Sequence, residues 1–181
     1  NKMIEKEEVN MLAIIMVSYN SAKVTIRCIE SIRQSIIEFK HKLILLDNST
    51  EESEIDKIND YLGNNFPKKL MSNIIDGIEY AINYDEIYYL KANSNYGFAK
   101  GNNLALKFLE NIINYSKIKW VWFLNNDTCV SEKNYSLIVK QLGYNQLRTV
   151  YYCQINDMNN DYESSGMHYI NLITSKSSNS K

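Results

Sequence analysis

The chain has 181 residues, 45% of them hydrophobic and 23% charged, with a formal net charge of −1. That length and composition give one domain with a real core, burying roughly 70% of the surface its unfolded form exposes. A near-zero net charge leaves no electrostatic footprint for nucleic acid, and the longest apolar runs, Met11 to Val17 and Trp120 to Leu124, are far too short to cross a bilayer. Residues 1–10 are charged, lack the apolar core of a signal peptide, and are expected to form an exposed lead-in. Cys28, Cys129 and Cys153 are far apart and odd in number, so neither a disulfide framework nor a zinc site is expected.

Met11 to Val17 is apolar at every position, which suits a strand covered on both faces. Ser18, Tyr19 and Asn20 interrupt it, and a helix is expected from Ser21, with Val24, Cys28, Ile29, Ile32 and Ile36 on one face. Leu43 to Leu46 repeats the strand pattern and runs into Asp47, Asn48, Ser49 and Thr50. Ser49 followed by Glu52 has the form of a capping box, which predicts a second helix ending near Gly63, Asn64, Asn65 and Pro67. Residues 68–85 carry no clear pattern, and Lys68 to Ile75 is expected to be irregular.

Ile87 to Leu90 reads as a third strand. The segment NSNYGFAKGNN, Asn93 to Asn103, then leads into a helix with Leu104, Ala105, Phe108, Leu109 and Ile112 on one face. Trp120 to Leu124 is a fourth buried strand with the polar tip Asn125-Asn126-Asp127. Ser131 caps a further expected helix to about Leu142. Thr149 to Cys153 and Ser165 to Ile170 are further strand candidates, and the residues after 172 read as a polar tail. The expected organisation is a lead-in over 1–10, one domain over 11–172 truncated at its C-terminal end, and a tail over 173–181. Strands alternating with helices argue an α/β sheet that is mostly parallel.

In such a sheet, ligands sit beyond the carboxyl ends of the strands. Each polar cluster here follows a strand: Ser18-Tyr19-Asn20, Asp47-Asn48-Ser49, Asn93 to Asn103, and Asn125-Asn126-Asp127. Any one of them alone is better explained by turn and capping chemistry. Their convergence on one sheet edge is the stronger signal. Neither GxGxxG nor GxxxxGK[ST] occurs, which removes the usual dinucleotide and P-loop fingerprints.

Taken in order, IIMVSYN, LLDNST, NSNYGFAKGNN and WFLNNDT resemble the family 2 glycosyltransferases with the GT-A (nucleotide-diphospho-sugar transferase) fold, and among them the rhamnosyltransferase-like and cell-wall glycan members. The resemblance implies a mostly parallel central sheet flanked by helices. It implies a nucleotide-sugar pocket formed by Ser18, Tyr19, Asn20, Asp47, Asn95, Gly97, Gly101, Asn102, Asn125 and Asn126. Tyr19 would stack on the base, and Asp47 would accept a hydrogen bond from it. Asp127, the last residue of a DxD-type tip, would hold Mg²⁺ or Mn²⁺. The implied partners are a UDP-, dTDP- or GDP-linked sugar and a glycan or lipid-linked acceptor, met in the cytoplasm or at the inner face of the membrane.

The family inverts the anomeric carbon with an Asp or Glu as base. No acidic pair of that kind follows Asp127 in this chain, so no residue is assigned as base. Asp157, Asp161 and Glu163 lie in a turn-rich stretch and read as solvated loop charges. His168 is weighed as a further metal ligand, but it and His41 read as structural. The alternative function is a non-catalytic nucleotide-sugar-binding or assembly module with the same fold.

Overall fold

The computed structural model describes residues 11–35, 41–72, 74–112, 118–142, 155–156, 162–164, 168–171 and 176–179. It divides into two compact units, Asn1–Leu142 and Gly143–Lys181.

In the first unit the chain runs β1 (Met11–Ser18), α1 (Ala22–Ser35), β2 (His41–Asp47), α2 (Glu52–Asn65), β3 (Lys69–Leu70), β4 (Ile78–Tyr84), β5 (Ile87–Ala92), α3 (Gly97–Ile112), β6 (Ile118–Phe123) and α4 (Glu132–Leu142). The six strands form one sheet in the order β3-β4-β5-β2-β1-β6. β1 is parallel to both β2 and β6, and β2 is parallel to β5. β4 runs antiparallel to β5, and β3 antiparallel to β4.

β1 and β2 are buried on both faces, whereas β6, expected to be buried, lies at the end of the strand order and leaves Phe123 51% exposed. Along β1, Leu12, Ile14 and Met16 join Ile29 and Ile32 of α1 and Ile58 and Leu62 of α2 in one core. Ala13, Ile15 and Val17 point the other way and join Leu104, Ala105, Phe108 and Leu109 of α3 in a second. α3 therefore covers one face, while α1 and α2 cover the other together with Tyr135 of α4.

Two local expectations change. The capping box does not form. The Ser49 hydroxyl accepts the Asn20 backbone N–H at 2.9 Å, and α2 starts only at Glu52, with Glu51 as an N-cap that makes no side-chain bond. α2 ends at Asn65, within the Gly63 to Pro67 stretch expected to stop it. Residues 68–85, expected to be irregular at their start, contain β3 and β4. A register shift between Ile78 and Tyr80 breaks the alternation by which β4 would be recognised.

In the second unit, β7 (Ile155–Asn156) pairs antiparallel with β8 (Tyr162–Ser164), and β9 (His168–Asn171) with β10 (Lys176–Asn179). β9 falls on the expected Ser165 to Ile170 strand, and β10 falls in the stretch expected to be a tail. Glu163 lies in β8, and His168 opens β9. Thr149 to Cys153, Asp157 and Asp161 lie outside the described residues.

Gly101 sets how closely α3 approaches the sheet. A Cβ there would lie 3.0 Å from Leu46 Cδ2, 3.1 Å from Val17 Cγ1 and 3.2 Å from Asn48 Nδ2. Those neighbours are the next-to-last residues of β1 and β2 and the first residue beyond β2. Overpacking there outweighs the helix propensity that alanine gains over glycine. Gly101→Ala is expected to destabilise the chain by about 1 kcal/mol, a fall of about 2–4 °C in Tm. Gly101→Val is expected to cost more. Thermal unfolding of the two variants checks the order.

Candidate donor site at the carboxyl edge of the sheet

Parallel pairing brings the four polar clusters to one edge. Ser18 lies in register with Asp47, and Asp47 with Lys91, at the ends of β1, β2 and β5. β6 leaves the sheet beside β1, with the Leu124 N–H bonded to the Ile15 carbonyl at 2.9 Å. α1, α2 and α3 each begin at this edge, so their positive N-terminal ends gather there.

The β1 and β2 tips are clasped by Asn20. Its backbone has a φ of 44°, in the left-handed region. Its N–H donates to Ser49 Oγ, and its side-chain oxygen accepts the Thr50 N–H at 3.0 Å and the Glu51 N–H at 3.2 Å. Its amide nitrogen donates to Thr50 Oγ1 and Glu51 Oε1. Glu54, in the first turn of α2, accepts the Ala22 N–H that opens α1 at 2.7 Å. A hydrogen bond from Lys57, then that Ala22 N–H, hold the Glu54 carboxyl below its usual range. With Asn20 bonded down, Tyr19 is left 48% exposed at the edge.

Asp47 is turned inward. It is 0% exposed, one carboxylate oxygen accepts the Ser49 N–H at 2.9 Å, and the other accepts the Tyr89 hydroxyl at 2.7 Å. In this arrangement both carboxylate oxygens are engaged within the protein. Burial first, and the Asp47 charge second, push the Tyr89 hydroxyl far above its usual range, so it remains a donor.

Asn48 ties β2 to α3. Its amide nitrogen donates to the Gly97 carbonyl at 3.1 Å, and its side-chain oxygen accepts the Tyr96 N–H at 3.4 Å. Gly97 has a φ of +70°, and its N–H donates to Asn95 Oδ1. Asn102 is buried and donates to the Phe98 carbonyl one turn back. Of the Asn-Gly-rich segment, Asn95, Gly97 and Phe98 are exposed while Gly101 and Asn102 are not.

The β6 tip is a turn closed by the Thr128 N–H on the Asn125 carbonyl at 3.2 Å. The same carbonyl lies 3.7 Å from Cys28 Sγ of α1. The chain beyond is strapped to α1, with the Val130 N–H on Ser31 Oγ and the Ser35 hydroxyl on the Val130 carbonyl. Asn125 and Asp127 are exposed, and Asn126 is half-buried against α1.

Among the described residues no three His, Cys, Asp or Glu side chains gather to hold a metal. Asp127 is a single exposed carboxylate beside amide oxygens. That donor set suits a hard cation whose shell is completed by phosphate and water.

Four residues at this edge carry no motif. Thr25 is a fully buried hydroxyl on the apolar face of α1, and Lys91 is a buried lysine whose ammonium donates to the Ala92 carbonyl at 2.6 Å. Tyr89 and Glu54 are the others. A polar residue on an otherwise apolar face was the available signal for Thr25 and Lys91.

Burial, with smaller contributions from Cys129 and Asp127, pushes the Cys28 thiol up to about 12. A raised folded pKa favours the protonated form, so its contribution to stability is complete below the ordinary thiol value of 9.0 and is lost as pH rises toward 12. At pH 8 a thiol reagent is expected to modify exposed Cys129 in the folded chain and to leave Cys28 untouched until unfolding, as mass mapping will report. Asn20→Ala loses the clasp and keeps a Cβ at positive φ, whereas Asn20→Gly loses only the clasp. Denaturant melts are expected to rank wild type above Gly and Gly above Ala, the last step being about 1 kcal/mol.

The family model described as Glycosyl transferase family 2 matches residues 13–178. Two solved structures of S. aureus TarS, one of its residues 1-349, align over 74% of this chain at 15% identity with a TM-score of 0.49. The aligned part is 19% and 32% of those chains, so this chain spans a third or less of their length. The search of curated proteins gives no match. The family match runs through most of the chain and includes every strand whose tip forms the edge described above. The chain belongs to glycosyl transferase family 2, and its α/β sheet is that of the GT-A fold.

Proposed function

We propose that this edge binds a nucleotide-diphosphate sugar and that the chain contributes the donor half of an inverting transfer to a glycan or lipid-linked acceptor. The single observation that carries the reading is the parallel pairing that levels the ends of β1, β2 and β5 and sets β6 beside β1, with exposed Tyr19 and exposed Asp127 on neighbouring tips. Tyr19 offers a ring face to a base. Asn95, Gly97 and Asn125 line the space between the tips, and Asp127 holds Mg²⁺ or Mn²⁺ on the diphosphate.

The inward groups have a different role. Ser18, Asn20, Asp47, Asn126, Gly101 and Asn102 shape the edge and hold the outward ones in place. Asp47 acts through Ser49 and Tyr89 rather than by touching the base.

In the transfer, an acceptor hydroxyl oxygen bonds to the anomeric carbon as the bond from that carbon to the diphosphate oxygen breaks. The acceptor proton passes to a carboxylate, and the nucleoside diphosphate leaves. A bound dication offsets the negative charge that builds on the leaving oxygen. This chain's part is to bind the donor, orient its diphosphate and keep the base edge fixed. Among the described residues no helix is long and apolar enough to cross a membrane, and meeting a lipid-linked acceptor would occur at the cytoplasmic membrane face.

UDP, dTDP or GDP with Mn²⁺ or Mg²⁺, at a hundredfold over Kd, is expected to raise stability by about 2.7 kcal/mol. For a chain of this size that is several degrees in Tm, on the order of 2–4 °C per kcal/mol. Asp127→Ala is expected to keep the metal-free part of the shift and lose the rest. If none of the three nucleotides shifts the melt with either metal, the donor-site reading fails.

A further inference from the structure

The tip that carries Asp127 is held by a polar knot buried against α1. The Asn126 amide nitrogen donates to Ser21 Oγ and to Thr25 Oγ1, both at 2.8 Å. Ser18 Oγ lies 3.0 Å from Thr25 Oγ1 and 3.4 Å from Ser21 Oγ. Thr25 also donates to the Ser21 carbonyl at 2.9 Å.

Counting protons fixes the direction of most of these bonds. A threonine hydroxyl has one proton, and that of Thr25 is committed to the Ser21 carbonyl. Thr25 Oγ1 therefore accepts both other contacts, one from the Asn126 amide and one from the Ser18 hydroxyl. With the Ser18 proton used in this way, the 3.4 Å contact is donated by Ser21 to Ser18. Each hydroxyl proton then has an acceptor within the knot, and Asn126 has to present a donor. Ser18 and Thr25 are 1% and 0% exposed, so water does not substitute for these partners.

The knot joins the residues on either side of Tyr19 and Asn20 to the residue next to Asp127. We infer that Asn126 is a positioning residue: by donating to Ser21 and Thr25 it fixes the β6 turn so that Asp127 meets the cation on a donor whose base lies at Tyr19. This rests on the donor-site reading and adds to it. The middle residue of the tip acts as a hydrogen-bond donor to α1 and not as a metal ligand, and the base and metal arms are coupled through α1.

Two near-isosteric variants separate the possibilities. Asn126→Asp replaces the donor by a carboxylate. If residue 126 were a ligand of the cation, the added charge would tighten metal binding. Under the positioning role, the carboxylate faces two hydroxyl oxygens whose protons are already committed, and the turn loosens. Thr25→Val removes the acceptor and leaves the tip sequence untouched.

The experiment titrates Mn²⁺ into the whole chain saturated with the diphosphate nucleotide that gives the largest melting shift, following free Mn²⁺ by electron paramagnetic resonance. Affinity for that nucleotide without metal is measured alongside by calorimetry. Both variants are expected to bind Mn²⁺ roughly tenfold more weakly, the usual scale for groups that orient a metal ligand. Metal-free nucleotide affinity is expected to stay within about twofold, which a general loss of structure would not allow.

Tighter Mn²⁺ binding by Asn126→Asp, or unchanged binding by Thr25→Val, overturns the inference while leaving the donor site standing. An equal fall of both affinities in both variants assigns the knot to folding alone and overturns it as well. If the wild-type chain binds none of the nucleotides, the donor-site reading itself fails, and this inference fails with it.

Discussion

Parallel hydrogen bonding among β1, β2, β5 and β6 is the constraint on which the rest of the structure depends. Parallel neighbours end on the same side, so each strand delivers its following residues to a common edge. The register makes the edge level: Ser18, Asp47 and Lys91 stand in one row. Four stretches far apart in sequence become adjacent for that reason alone. The antiparallel strands β3 and β4 extend the sheet beyond β5 without adding a tip to this edge.

Such an edge creates a difficulty that the polar residues resolve. Beyond the last ladder bond the backbone groups lose their strand partners, and groups shielded from water need new ones. Asn20, Asp47 and Asn48 provide them for the Thr50, Glu51, Ser49 and Tyr96 N–H groups and the Gly97 carbonyl, while Asn126 bonds to the Ser21 and Thr25 hydroxyls. This divides the tips into residues that hold the edge and residues that it presents. Tyr19, Asn95, Phe98, Asn125 and Asp127 belong to the presented set. The holding bonds run between tips, tying the β1 turn to the β2 turn and to the β6 turn.

The strands and the four clusters were legible because continuous apolar runs and helical periodicity are strong signals. β1, β2, β5 and β6 fall within a few residues of expectation, as do α1, α4 and the end of α2, while α3 begins at Gly97, inside the segment expected to lead into it. Ser131 caps α4 as its position suggested, with its hydroxyl accepting the Asn134 N–H. What was not legible was the direction of polar side chains. Asp47 and Asp127 both follow an apolar strand, yet one is fully buried and the other exposed. The difference comes from Tyr89, a residue on another strand that only the register brings into contact. Ser49 likewise has the local form of a cap, and a contact from Asn20 outcompetes it. Tertiary partners decided each case, and spacing along the chain does not encode them.

The opposite edge of the same sheet provides the contrast for a direct test. There a cavity of about 170 Å³ is lined by Ile29, Ile32, Leu43, Phe66 and Ile87, among others, at the amino ends of β2 and β5. Amide chemical shifts of the isotopically labelled chain, recorded as UDP, dTDP or GDP is added with Mg²⁺, will report which edge is used. The account predicts that the largest changes fall on residues 18–20, 48–50, 93–98 and 124–128. Changes concentrated instead around Ile29, Phe66 and Ile87 would contradict it.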